Sequence, residues 1–247
     1  MRTIGFSTGA LAYSDFRLGL KILSSTTAIA VELSALRETE LEPLVNAIDS
    51  LNLAHFRYIS VHAPSRYEPR HEPRIIALLK KVCERNWPII VHPDTIHDFS
   101  AWNAFGGLVL VENMDKRNST GRTSNELATI FSRLPNAQLC FDLGHCRQVD
   151  PTMTESYSIL TMFRSKLRQL HISEVNSRST HDPLSEASIG AFEKISHLIP
   201  AEVPVILESP VGPDQVKEEI RHAQMALPTN GSSRSGRHEP RSNVAVV

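Results

Sequence analysis

Gln138-Leu-Cys-Phe-Asp142-Leu-Gly144-His145-Cys146 is a short apolar run that ends on a carboxylate and then turns through a glycine to an imidazole. A strand delivers Asp142 at its C-terminal end, and a tight turn brings His145 back beside it, so both side chains can reach one cation. A single Asp-x-x-His of this kind reads equally as a strand with a polar cap. Here the construction recurs. Apolar, β-branched runs end on Glu32, His62, His92, Glu112, Asp142, His171 and Glu208, at successive gaps of 30, 30, 20, 30, 29 and 37 residues. Those gaps are the length of a strand plus a returning helix. Every run ends in a metal ligand or an acid/base group.

Working outward, the first strand is expected over Thr3–Ser7 and the eighth over Val203–Glu208. Helices are expected between strands, among them Asp15–Leu23, Glu40–Leu51 opened by a Thr39/Glu42 capping box, and one opened by a Thr123/Glu126 capping box. Eight strands alternating with helices predict a single (β/α)8 TIM barrel over residues 1–226. An open doubly wound sheet should carry a Gly-rich phosphate turn after its first strand, and none is present. From 227 to 247 the apolar period stops, and Pro, Ser, Gly and Arg dominate, as in a disordered polar tail.

The bulk properties narrow the function. A chain of 247 residues, 41% hydrophobic, can bury one sizeable core. A net charge of −1 provides no global basic field, so nucleic-acid binding is not supported by charge. Three cysteines without framework spacing fit reduced thiols and a cytoplasmic location. No run reaches the roughly 20 apolar residues of a membrane span, and the N-terminus lacks the apolar segment of a signal peptide.

Residues at barrel strand C-termini converge on one rim. Four carboxylates there (Glu32, Glu112, Asp142, Glu208) would repel one another without a cation. With His62, His92, His145, His171 and His181 they form a donor set suited to Zn2+, Mn2+ or Fe2+. Glu32, Arg66, Lys116 and Arg117 are candidate substrate contacts, with Arg66, Lys116 and Arg117 placed to hold phosphate oxygens. No nucleophile elbow is present.

The ordered series His62, His92, Glu112, Asp142-x-x-His145, His171, His181, Glu208 resembles the xylose-isomerase-like TIM barrels. Within them it looks most like the zinc-dependent abasic-site endonucleases, AP endonuclease family 2. That resemblance implies one ion on His62, His92 and Glu112, and a second on Glu112, Asp142, His171 and Glu208. It also implies a third ion on His145, His181 and an Asp two residues before it, where this sequence has Ser179. Two Zn2+ or Mn2+ ions and metal-activated water attacking a small phosphoester or sugar phosphate are therefore expected. The sugar isomerases and epimerases of the same superfamily resemble the chain through Glu112, Asp142, His145, His171 and Glu208 around one metal. In that alternative Glu112 and Glu208 are an acid/base pair, with His145 or Glu174 orienting hydroxyls.

Overall fold

Each barrel strand alternates two kinds of residue, and closing the sheet sorts them. In the computed structural model, which describes residues 2–229, β1 (Ile4–Ser7), β2 (Ala30–Ser34), β3 (Tyr58–His62), β4 (Ile89–Val91), β5 (Val109–Glu112), β6 (Gln138–Asp142), β7 (Leu167–Ile172) and β10 (Val205–Leu207) form a closed barrel. The order is β1-β10-β7-β6-β5-β4-β3-β2, and all pairs are parallel. One set of alternate residues, including Val31, Leu33, Val61, Val91, Val111, Phe141, Leu170 and Leu207, joins the main hydrophobic core between sheet and helices. The other set faces the lumen. There, Ile90, Leu110 and Cys140 make a small separate apolar cluster, and the remaining inward positions are largely polar.

The helices that cover the sheet are α2 (Phe16–Leu23), α3 (Glu38–Ala47), α4 (Glu72–Cys83), α5 (Phe99–Asn103), α6 (Ser124–Arg133), α8 (Thr154–Met162), α9 (Glu186–Ile195) and α10 (Val216–Ala226). Two helices that the periodicity did not predict follow strands directly: α1 (Thr8–Ala12) and α7 (Leu143–Val149). A two-stranded antiparallel ribbon, β8 (Glu174–Val175) and β9 (His181–Asp182), was also not foreseen. Of the two expected capping boxes, Thr123 does accept the Glu126 N–H, at 3.3 Å, but Glu126 turns its carboxylate to Arg122. The Thr39/Glu42 box does not form. α3 starts earlier, and Glu40 accepts the Arg37 N–H at 2.9 Å.

Phase along β7 depends on one extra residue. Leu139 pairs with Leu167 and Cys140 with Gln169, so Arg168 bulges out of register and is exposed. A bulge shifts the alternation by one residue. It leaves Leu167 and Leu170 in the outer core and turns Gln169 and His171 into the lumen.

At the N-terminal end, Arg2 is buried and donates to the carbonyls of Leu227, Pro200 and Ile199. Leu227, the first residue of the expected tail, is itself buried. The rest of that tail, from 230 on, lies outside the described residues. Among the described residues no helix is long and apolar enough to cross a membrane.

Gly5 is required where β1 and β2 approach most closely. A Cβ at this position would lie 1.7 Å from the Ala30 carbonyl oxygen. Gly5→Ala must therefore push two barrel strands apart, and the expected cost is about 1–3 kcal/mol or more. Urea unfolding followed by circular dichroism measures it, and an unchanged midpoint would contradict this packing.

Candidate metal centre

The strand ends meet as one cluster, with Glu112 at its centre. This side chain ends β5 and is 1% exposed. His62 Nε2 lies 3.2 Å and His92 Nε2 3.4 Å from Glu112 Oε2. His171 Nδ1 lies 3.2 Å and His145 Nδ1 3.3 Å from Oε1. Each oxygen of a single carboxylate thus faces two imidazoles. Ligand-type atoms gather into three groups: His62, His92 and Glu112; Glu112, Asp142, His171 and Glu208; and Asp142, His145 and His181.

The partners of the outward-turned ring nitrogens decide which nitrogen each histidine offers. A backbone carbonyl only accepts, so the partner nitrogen must carry hydrogen. His62 Nδ1–H donates to the Ala63 carbonyl at 2.7 Å, which leaves Nε2 toward Glu112. His145 Nδ1–H donates to the Asn113 carbonyl at 3.0 Å, leaving its Nε2 free. His171 has Nε2 at 2.9 Å from Glu32 Oε2 and offers Nδ1. His181 has Nδ1 at 2.7 Å from the Ser173 hydroxyl. Fixing the non-ligating nitrogen is how proteins orient metal-binding imidazoles.

The local backbone explains why Asp142 and His145 converge. Asp142 caps α7, and its Oδ1 accepts the His145 N–H at 2.6 Å. The Asp-x-x-His unit is therefore the first turn of a helix rather than a loop. Asn113 holds its other side: its side chain donates to the Asp142 carbonyl at 2.9 Å and accepts the Asp142 N–H at 2.7 Å. One amide thereby extends the β5–β6 ladder by one step. Gly144 lets α7 lie against β7, since a Cβ there would meet the Ser173 carbonyl oxygen at 2.6 Å. Asn113 escaped the sequence reading because its role depends on a cross-strand neighbour. The one signal available was its position directly after the ligand-type Glu112.

Burial alone would keep this cluster uncharged, and mutual pairing overrides it. Burial works against charge on His62, yet its hydrogen bond to Glu112 and the charges of Glu32 and Glu112 raise its pKa to about 9. Burial likewise opposes charge on His145, but Asp142 and Glu112 raise it to about 10. Glu112 is held well below the usual carboxylate range by His171, His145 and His62 despite its burial. Glu208 responds the other way: burial, helped by the charges of Glu112, Asp142 and Glu32, pushes it up to about 7. Burial and the neighbouring His145 charge pull His181 down to about 4.

The donor set fits divalent ions. Among the described residues, Asp142 Oδ2 and His171 Nδ1 are two of the four buried side-chain atoms without a hydrogen-bond partner, Glu32 Oε1 and Gln138 Oε1 being the others, and both belong to the group around Glu112 and Glu208. Buried polar groups are rarely left unpaired, and two lone pairs directed into one space suit an electrophile. The third group is poorer. Ser179 adopts a left-handed backbone at φ 59, and its hydroxyl is engaged by both ends of the Gln148 amide, at 2.8 and 3.1 Å. The carboxylate in that group is Asp142, which the second group shares.

Two expected substrate contacts need correction. Glu32 does not end its strand. β2 runs on to Ser34, and the register pairs Glu32 with Ser60 rather than His62. It lies wholly enclosed beneath His171, with no surface to offer a substrate. Arg117 closes its guanidinium on buried Asp115, at 2.6 and 2.9 Å. Arg66 and Lys116 are exposed, and among the described residues neither side chain makes an ion pair. Glu174 pairs with Arg147 at 3.1 Å.

Loading divalent ions must displace the protons that the candidate ligands His62 and His171, both raised above the ordinary imidazole value by neighbouring carboxylates despite burial, hold in the metal-free chain. Calorimetric Zn2+ titrations at pH 7 in buffers of different ionisation enthalpy should therefore show release of about one to two protons per chain, and affinity should weaken as pH falls. Heats independent of the buffer would contradict this charge state. Stability of the metal-free chain has the opposite sign. A folded pKa raised to about 9 for His62 means a contribution that is full below its ordinary value near 6.5 and lost as pH rises through 9.

The family model for xylose isomerase-like TIM barrels matches residues 100–225. No match was found among curated proteins. Among solved structures, endonuclease IV from Thermus thermophilus is similar at a TM-score of 0.62 and 17% identity, covering 92% of this chain and 99% of that one. A 3-keto-D-glucoside 4-epimerase from E. coli is similar at a TM-score of 0.57 and 13% identity, covering 90% and 98%. A xylose isomerase-like TIM barrel protein from Mycobacterium smegmatis, in complex with magnesium, is similar at 0.58 and 10%, covering 92% and 98%. At such identities these likenesses speak for the fold alone. The family match extends over half of the sequence and includes Glu112, Asp142, His145, His171, His181 and Glu208, and the chain belongs to the xylose isomerase-like TIM barrel family.

Proposed function

We propose that the protein is a divalent-metal-dependent hydrolase of phosphoesters that carries two ions, one on each side of Glu112. The observation behind this reading is the arrangement of four imidazoles around that carboxylate, two facing each oxygen. His62, His92 and Glu112 would hold one ion, and Glu112, Asp142, His171 and Glu208 the other. Zn2+ and Mn2+ both suit mixed imidazole and carboxylate donors. Such a pair, when bound, supplies Lewis acidity and an activated water.

The chain's own residues supply the rest. Glu208 is the acidic group of the cluster that keeps an open face, at 12% side-chain exposure, so it meets the substrate side of the bowl. His181, on which burial disfavours charge, is 29% exposed in its side chain and stands beside it. It offers a hydrogen bond to a substrate oxygen without adding charge. Arg66 and Lys116 follow β3 and β5 at the same end of the barrel and are free to meet phosphate oxygens. A net charge of −1 favours a small phosphorylated substrate over a long polyanion.

The single-ion isomerase reading requires Glu112 and Glu208 to exchange protons across a sugar carbon. Glu112 is enclosed, and both its oxygens are taken up by imidazoles, which weighs against that role.

Metal analysis of the purified chain is expected to find two transition ions. Glu112→Gln should lose both and reduce phosphodiester hydrolysis by about 100-fold or more, as removal of a shared charge-stabilising group does. One ion per chain, together with deuterium uptake into a ketose in D2O, would replace this reading with the isomerase. A wild-type chain that binds no transition ion would end both.

A further inference from the structure

Below the proposed ion positions the lumen contains a second polar layer that the reaction does not call upon. Most (β/α)8 barrels fill this space with branched aliphatic side chains. Here it holds Glu32, Ser60 and Gln169, all wholly enclosed. Glu32 Oε2 lies 2.6 Å from Gln169 Nε2, 2.9 Å from His171 Nε2 and 3.2 Å from the Ser60 hydroxyl, and Gln169 Nε2 also stands 2.8 Å from His171 Nε2; a carboxylate only accepts, so His171 Nε2 carries the hydrogen toward it. Tyr58, half-buried at the start of β3, donates its hydroxyl to Gln169 Oε1 at 2.7 Å. The chain Tyr58–Gln169–Glu32–His171 therefore runs along the barrel axis and ends at a candidate ligand.

A wholly enclosed carboxylate costs several kcal/mol unless it is paired and hydrogen-bonded. An aliphatic side chain at position 32 would pack the lumen without that cost, so the carboxylate has a specific task. The other imidazoles show what it is. His62 and His145 give their second nitrogen to neutral backbone carbonyls, and His181 gives its own to a serine hydroxyl. Of these four, His171 alone has its second nitrogen on a carboxylate outside the three candidate ligand groups; the carboxylates nearest His145 Nδ1 and His181 Nδ1, Glu112 at 3.3 Å and Glu208 at 3.6 Å, are themselves candidate ligands. Such a partner fixes the tautomer and makes the imidazole a more basic ligand.

We propose that Glu32, held in place by Gln169 and Tyr58, is a positioning residue for one ion: it locks His171 with Nε2–H toward the floor and Nδ1 toward Asp142 and Glu208, so that this ion binds more tightly than the one on His62 and His92. This rests on the two-ion reading above.

Competition titrations with Zn2+ and a chromophoric chelator, on the full chain, compare wild type with Glu32→Gln and Glu32→Ala. Gln retains an acceptor and drops the charge, whereas Ala removes both. One of the two ions should weaken by about tenfold in Glu32→Gln and about 100-fold in Glu32→Ala, the range for loss of an outer partner of a ligand, with the other ion unchanged. Equal weakening of both ions, or none, would overturn the proposal. Both substitutions fall in the lumen, so a measurement on wild type stands beside them. Long-range 15N–1H correlation of the Zn2+-loaded chain should show His171 protonated at Nε2 and metal-shifted at Nδ1. Ligation through Nε2 would also overturn it. A wild-type chain with no bound Zn2+ would instead defeat the two-ion reading itself. Two ions with unaltered affinity in Glu32→Gln would sink this inference alone.

Discussion

Compensation of one buried negative charge organises the rim of this barrel. Glu112 sits 1% exposed on β5, in surroundings where an unpaired carboxylate would cost several kcal/mol. Four imidazoles from four different strands or strand ends meet it within 3.4 Å. Those imidazoles are in turn oriented by Ala63, Asn113 and Glu32. Without Glu112, His62 and His92 would lose the carboxylate that ties them to the groups around Asp142 and Glu208.

Stability and chemistry are divided between the two faces of the sheet. The outward face, rich in Val, Ile, Leu and Phe, packs against the helices as one continuous core. The inward face gives up most of its apolar packing to polar groups and keeps Ile90, Leu110 and Cys140 as a small cluster. Hydrophobic burial scales with apolar area removed from water, so the sheet–helix layer must supply most of it. That division lets the lumen carry carboxylates and imidazoles in two layers: ligand-type groups at the rim and the Glu32–Gln169–Tyr58 chain below.

Much of this was legible before any coordinates. Runs of β-branched residues about 30 apart announce a parallel barrel, because a strand and its returning helix have that length. Ligand-type residues at the ends of those runs must share a rim once the sheet closes. Glu32 was the exception. It looked like another strand end, but β2 continues to Ser34, and the carboxylate drops below the rim. A propensity pattern places a strand within a residue or two, and two residues are one full layer of a barrel.

By itself, then, the sequence determined the closed parallel barrel and the membership of the rim: His62, His92, Glu112, Asp142, His145, His171, His181 and Glu208. Local periodicity carries the barrel and the strand-end members, since each strand end is reported by its own neighbours in the chain; His145 follows from the Asp-x-x-His turn, and His181 from the connection after the seventh strand and the family resemblance. Only the tertiary structure decided which nitrogen each histidine offers, that Asp142 caps a helix while Asn113 pins it from the next strand, and that a bulge at Arg168 turns His171 inward. The Asn113 contacts to Asp142 and His145 and the Glu32 contact to His171 depend on distant partners and on the relative stagger of adjacent strands, and the nearer ones, His62 to Ala63 and Asp142 to His145, depend on backbone conformation. A one-dimensional pattern contains none of these.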